Sequence, residues 1–378
     1  MNVPSVDTDY IKDVLGRLLA IRSPSGKTDT IVRHTCQELD ALDIPYELTR
    51  RGAIRAYLAG KQKNPRRAVV AHLDTLGAMV KQLKHNGRLA CVPIGYWSAR
   101  FAEGARVTIF TEEGQEFRGT VLPLKASGHT YNEEIDSQPV KWDNVEIRVD
   151  EPCSNLDHLW DLGFRVGDFI AVDTGTEFLD NGFVNSRYLD DKAGVACMLA
   201  AAKALRDAGQ EPALDSNLLF TISEEVGVGA SHVLHGDVAE MVAVDNGTVA
   251  PNQNTCEFGV TVAMKDSSGP FDRHLTQHLI DLCKRDQLEF SRDIFNYYRS
   301  DAAAALEAGN DIRTALVCFG LDASHGYERI HIRSLDNVAK LLAGYLLSPP
   351  LFAKDETVIG AEKDFPLIKI SNEQQNRR

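Results

Sequence analysis

In the opening segment DYIKDVLGRLLAIRS, Ile11, Val14, Leu15, Leu18 and Leu19 recur at helical spacing, and the pattern stops at SPSG. This predicts a first helix, and a second is expected around 28–42. YELTR and IRAYLAG then read as strands, and a basic turn, KQKNPRR, leads to the short apolar run AVVA that ends in His72 and Asp74. From about residue 77 to 172 the texture changes. LACVPIGY, RVTIFT, EFRGTVLPL, VEIRVD and FIAVD are β-like runs separated by turn signals such as HNG, AEG and EEGQ. With one helical stretch near 155–162, this region predicts a small β-barrel. After Asn185 a βα rhythm resumes: a helix through AGVACMLAAAKALRDAG, the strands NLLFTIS and MVAVD, a helix at HLTQHLIDLCKR, the strand ALVCFG and a last helix, RSLDNVAKLLAGYLL. The expectation is a discontinuous α/β domain over 1–76 and 173–370, interrupted by an inserted β-barrel over 77–172, with a frayed polar tail at 371–378.

Composition narrows the function classes. The 378 residues carry 41 Lys+Arg against 54 Asp+Glu, a net charge of −13, which argues against a general nucleic-acid binder. At 43% hydrophobic and 25% charged, the chain is ordinary for a globular protein and too apolar for disorder as its main state. Its apolar runs fall short of the ~20 residues needed to cross a bilayer. The N-terminus, MNVPSVDTDYIKDVLG, has neither a basic n-region nor an apolar h-region, so neither a membrane nor a secretory destination is expected. Seven cysteines, none in a CxxC pair, read as reduced thiols in a cytoplasmic protein.

The chemistry sits in a set of His, Asp and Glu residues placed just past apolar strands or at a helix start. In an open α/β sheet, loops at the carboxyl ends of strands meet in one crevice. His72 and Asp74 are two apart, on one face of a strand. They suit a ligand and the group orienting it, or a strand-end His with a turn-capping Asp. Asp190 and Asp191 stand at the mouth of a helix, where a carboxylate can bridge two cations or cap the helix. Glu224 and Glu225 follow a buried strand; one can serve as ligand with its neighbour free as general base, or both can splay into solvent. Asp245 ends MVAVD before NGT, ordinary turn chemistry when taken alone. His325 lies in SHGYERIH. His, Asp, Glu, Asp, His in that order, with a spare Asp and a spare Glu beside the first His and the Glu, make a complete two-metal hydrolase set. His274 and His278 are i,i+4 without the Glu of a zincin and read as a partly exposed helical face; His232 and His235 read as packing. GxSxG, Walker A and strand-following GxGxxG motifs are absent.

HLDTLG, LDDKAG, SEEVG, the Asp of AVDNG and SHGYERIH together resemble the dinuclear metallo-aminopeptidases of the tetrahedral type, which include glutamyl and deblocking aminopeptidases. SPSG, IGYWSARFAEGARVTI and GFRVGD extend the resemblance over nearly the whole chain. Within the family, FNYYRSDAAAALEAGNDIRTALVCFGLDASHGYERIH looks most like the bacterial peptidases associated with the osmoprotectant N-acetylglutaminylglutamine amide system. The resemblance implies a mixed-sheet, zinc-peptidase-like α/β catalytic domain with helices on both faces. It implies two divalent ions, zinc or cobalt: His72 and Asp245 on one, Glu225 and His325 on the other, and Asp190 bridging. Glu224 would be the general base and Asp74 would orient His72. The insertion would be a dimerisation domain, six dimers forming a tetrahedral dodecamer, and the substrate a short peptide opened at its N-terminal bond. Thr75-Leu76, Lys192 and the SHGYE run depart from the usual pattern without removing a ligand. The alternatives are a deacylase or carboxypeptidase acting on N-acylated amino acids or osmolyte-like dipeptides and, more remotely, a non-catalytic metal-stabilised scaffold.

Overall fold

A computed structural model describes residues 3–352 and Asp355. The polar tail at 371–378 and the end of the second catalytic-domain segment lie outside those residues.

The first helix spans Thr8–Leu19 and buries the five residues whose spacing predicts it; Asp7 caps it, accepting the Tyr10 N–H at 3.0 Å. Complete burial of aliphatic side chains of this kind stabilises by about 1.5–3 kcal/mol each. The partner surface is the helix Leu189–Asp207, which also touches the strands Gln62–His72 and Val238–Val249 and the helix Ile332–Leu347. Packed on all these sides, Leu189–Asp207 is buried almost throughout, and its run of alanines lets the neighbours approach closely.

The main sheet is mixed. Its centre is four parallel strands in the order Leu214–Thr221, Gln62–His72, Val238–Val249 and Arg313–Asp322. Every residue of Leu214–Thr221 is buried, as expected of a strand covered on both faces. Antiparallel strands flank this core: Ile54–Leu58 and Tyr46–Leu48 on one side, Glu328–His331, Phe183–Ser186 and Glu177–Phe178 on the other. Arg313–Asp322 also pairs with Val260–Asp266, so the sheet forks there.

Between the strand ending at His72 and the helix beginning at Leu189, six strands close a barrel: Gly77–Leu83, Arg88–Ile94, Val145–Val149, Glu116–Pro123, Arg106–Phe110 and Phe169–Val172, the last pairing back onto the first. Leu89, Val107, Ile109, Val121, Ile147 and Ile170 fill its interior.

Beyond elements the pattern left unassigned, among them the strands Val260–Asp266 and Glu328–His331 and the helix Asp301–Glu307, the chain departs from the sequence expectations in three places. KQKNPRR is no turn: the strand starts at Gln62, and Pro65 is accommodated where the ladder is irregular, between the pairings Leu214↔Gln62 and Ser216↔Arg67. The barrel strand Gly77–Leu83 has no clean alternation to announce it. Finally, Asp245 does not end its strand. Val238–Val249 runs straight through Asn246-Gly247, in register with Arg313–Asp322. Gly247 is needed there for close approach, since a Cβ on it would lie 2.8 Å from the Cβ of Cys318.

Candidate functional site

The carboxyl ends of the four central parallel strands converge on one crevice, as the topology of such sheets requires. His72 is the last residue of its strand, Glu224 and Glu225 lie in the turn after Leu214–Thr221, Asp245 lies within Val238–Val249, and His325 follows Arg313–Asp322. Asp190 comes from the opened first turn of Leu189–Asp207, where Asp190 and Asp191 have non-helical backbone angles.

The seven sequence-derived residues come together. His72, Asp190 and Asp245 are buried, and each offers a ligand atom within 4.8 Å of the others. Asp190 faces both histidines: Oδ1 is 3.2 Å from His72 Nε2, and Oδ2 is 3.5 Å from His325 Nε2. Glu225 Oε2 lies 3.8 Å from His325 Nε2, and Glu224 Oε2 lies 3.7 Å from His72 Nε2. Both histidines present the same nitrogen. Nδ1 of His72 is 2.8 Å from the Asp74 carbonyl, and Nδ1 of His325 is 2.8 Å from the Tyr96 carbonyl. A carbonyl can only accept, so Nδ1 carries the proton in each ring and the Nε2 lone pair is free for a cation. Asp74 thus meets His72 through its main chain; its carboxylate oxygen stands 3.7 Å away from the ring. That carboxylate instead accepts the backbone N–H groups of Glu224 (3.1 Å) and Glu225 (3.3 Å) and the Ser25 hydroxyl (2.5 Å).

Four further residues build the site. Asn246 donates from Nδ2 to Asp190 (2.7 Å) and Asp245 (3.1 Å), holding the two carboxylates side by side. Glu328 accepts from the N–H groups of Leu189, Asp190 and His325. Asp191 accepts from the N–H of His72 at 3.1 Å and packs over Gly194, where a Cβ would fall 2.2 Å from its oxygen. Asp301 holds the turn that carries the two glutamates, accepting from Thr221 Oγ1 (2.5 Å) and the Ala230 N–H (2.6 Å). The available signals were slight: Glu328 is a buried carboxyl between the exposed Tyr327 and the half-buried Arg329, and nothing in the sequence marks it as such.

Eight carboxyl groups, Asp74, Asp190, Asp191, Glu224, Glu225, Asp245, Asp301 and Glu328, thus share one region, and none forms an ion pair with Lys or Arg among the described residues. Burial pushes Glu224, Asp245 and Asp191 well above the carboxylate range, and neighbouring carboxylates push the same way. Glu225 rises to about 7 for the same reasons. Burial would lower His325, but the hydrogen bond its protonated ring donates to Asp190 and the charge of Glu225 outweigh it and raise the imidazole to about 10. A field that favours imidazolium this strongly favours a metal cation equally. Glu225 Oε1 and Asp191 Oδ1 are buried without a hydrogen-bond partner. Imidazole nitrogen and carboxylate oxygen facing one another are a donor set that divalent metals fit.

The cluster opens into a cavity of about 570 Å³, lined on its other side by Thr248, Ala250, Pro251 and the segment from Phe295 to Asp301.

Residues 52–341 match the M42 glutamyl aminopeptidase family. "Putative aminopeptidase YhfE" of Bacillus subtilis (strain 168) is 36% identical over 337 residues, covering 89% of this chain and 97% of its own. Among solved structures, the TET aminopeptidase of the marine sediment archaeon Thaumarchaeota archaeon SCGC AB-539-E09 superposes with a TM-score of 0.81 at 18% identity, over 89% of this chain and 96% of its own. The Pyrococcus horikoshii TET1 peptidase, described as assembling into a tetrahedron or a large octahedral shell, gives 0.78 at 21% identity, over 89% and 99%. These likenesses do not favour the deacylase, carboxypeptidase or scaffold alternatives.

Proposed function

Because the chain belongs to the M42 glutamyl aminopeptidase family and is a metal-dependent aminopeptidase, we propose that its activity is carried by two divalent ions, zinc or cobalt, held by His72 and Asp245, by Glu225 and His325, and by Asp190 between them. The observation that carries this reading is the two-sided placement of Asp190, one oxygen toward each histidine. When bound, such ions polarise the scissile carbonyl and lower the pKa of a water to about 7.

The remaining work belongs to the chain. Glu224 takes the proton of the attacking water and returns it to the amine nitrogen that leaves, serving as base and then acid at one position. Its side chain is 14% exposed toward the cavity while that of Glu225 is 4% exposed, which supports Glu224 as the mobile proton carrier and Glu225 as ligand. Asp74 sets the backbone of both glutamates and, through its carbonyl, the tautomer of His72. The concentration of carboxyl groups suits a substrate's free α-ammonium, so the substrate is a short peptide cut at its N-terminal bond.

The inserted barrel, taken as residues 77–172 within a catalytic unit of 1–76 and 173–370, would be the surface for self-association into dimers and, from these, a tetrahedral dodecamer. The assembly described for the structurally similar Pyrococcus horikoshii peptidase supports this. A cytoplasmic location is supported by seven free cysteines, as in a reducing compartment.

Glu224→Gln tests the division of labour. Metal content by elemental mass spectrometry should stay at the wild-type level while turnover falls by about 10²–10⁴-fold. Loss of metal would exchange the roles of Glu224 and Glu225.

A further inference from the structure

The cavity beside the cluster continues past Asn246 and Thr248 to a wall of Ala250, Pro251, Phe295, Tyr298 and Ala304. Given the site reading above, on which this inference rests, the α-carbon of the first residue lies one bond from the scissile carbonyl, and its side chain must enter this space.

Beyond the seven site residues, the charged residues that line the cavity among the described residues are Arg299 and Asp301, the latter one of the eight clustered carboxyls. Asp301 is buried, and its two oxygens are taken by Thr221 and the Ala230 N–H. Arg299 stands at the mouth with both terminal nitrogens on Glu307, at 2.8 and 2.5 Å. Such a bidentate fork satisfies the guanidinium face that would otherwise recognise a carboxylate. A Glu or Asp side chain entering the pocket would therefore lose its hydration without gaining a counter-charge. An aliphatic or aromatic side chain would gain from leaving water against the apolar wall.

We propose that Arg299 and Glu307 form a specificity pair: by engaging the guanidinium, Glu307 withholds it from the substrate, so the enzyme acts on peptides whose first residue is uncharged and medium to large, such as Leu, Met or Phe, in preference to Glu. Glu307 ends the short helix Asp301–Glu307 that begins two residues after Arg299, so one local segment supplies both halves. Discrimination of this kind works by leaving a group without its partner, as in sites that reject a substrate for want of a hydrogen bond.

The test is kcat/KM of the metal-loaded full chain on leucyl-, phenylalanyl- and glutamyl-4-nitroanilides. The wild type should favour the Leu or Phe substrate over the Glu substrate by at least about tenfold. Glu307→Ala should free Arg299 and raise the Glu:Leu ratio by about tenfold, and adding Arg299→Ala should cancel that rise. A wild-type preference for Glu overturns the proposal, and so does a Glu:Leu ratio that Glu307→Ala leaves where it was. These outcomes are ratios on active enzyme. Undiminished turnover by Glu224→Gln would instead strike the site reading beneath them.

Discussion

His325 sits in the left-handed backbone region, at φ 64°, a conformation that a residue with a side chain adopts only when its surroundings enforce it. Two contacts do so: its N–H donates to Glu328 Oε1 at 3.0 Å, and its Nδ1–H to the Tyr96 carbonyl at 2.8 Å. The other oxygen of Glu328 accepts the N–H groups of Leu189 and Asp190, so one buried carboxylate holds the backbone beneath two of the proposed ligands. Glu328→Gln turns one of those acceptors into a donor facing N–H groups. Metal affinity, measured by competition with a chromophoric chelator, should weaken by about 10–100-fold. Unchanged affinity with only a lowered melting temperature would reduce Glu328 to a structural residue.

Among the elements, the strand Gln62–His72 ties together both ends of the fold. At its far end stands His72, and at its midpoint Arg67 is fully buried beside Glu240, with Nε 2.6 Å from Glu240 Oε1. The same guanidinium caps the end of the helix Ile332–Leu347, donating to the carbonyls of Tyr345 and Ser348 and lying 4.1 Å over the Tyr345 ring. Removing one partner of such a pair leaves the other charge buried alone. Glu240→Gln should therefore lower stability by about 3–5 kcal/mol in urea denaturation, whereas replacing both residues by apolar ones of similar volume should cost less. A single-variant loss below 1 kcal/mol, on the scale of an exposed pair, would contradict the buried reading.

At the scale of the whole molecule, the barrel and the crevice touch. Tyr96, just past the barrel strand Arg88–Ile94, supplies the carbonyl that orients His325, and its exposed ring stands at the cavity wall. Self-association through the barrel would then bear on the site as well as on particle size. Sedimentation analysis should give a mass near twelve chains of 41.7 kDa, with a dimer as the smallest stable species. A monomer at micromolar concentration would rule out the assembly proposed for this chain. No described helix is long and apolar enough to cross a membrane.

Most of the helices and strand runs, and the seven polar residues that the structure brings together, could be picked out in the sequence because each has a local cause, whereas elements such as Val260–Asp266 and Asp301–Glu307 could not. Apolar residues at helical spacing must share a face, as Ile11 to Leu19 do, and groups suited to binding metal stand out when they interrupt apolar runs. The sequence by itself therefore determined which side chains could do the chemistry and roughly where each stands in its element. Tertiary structure alone decided what holds them. The carbonyls of Asp74 and Tyr96 look like every other carbonyl in a sequence, and the contacts of Glu328 and Asp301 span distant segments. Asn246-Gly247 has the local preference of a turn, and only the buried parallel neighbour Arg313–Asp322 extends it as a strand, because an unpaired backbone there would cost more than the turn preference returns.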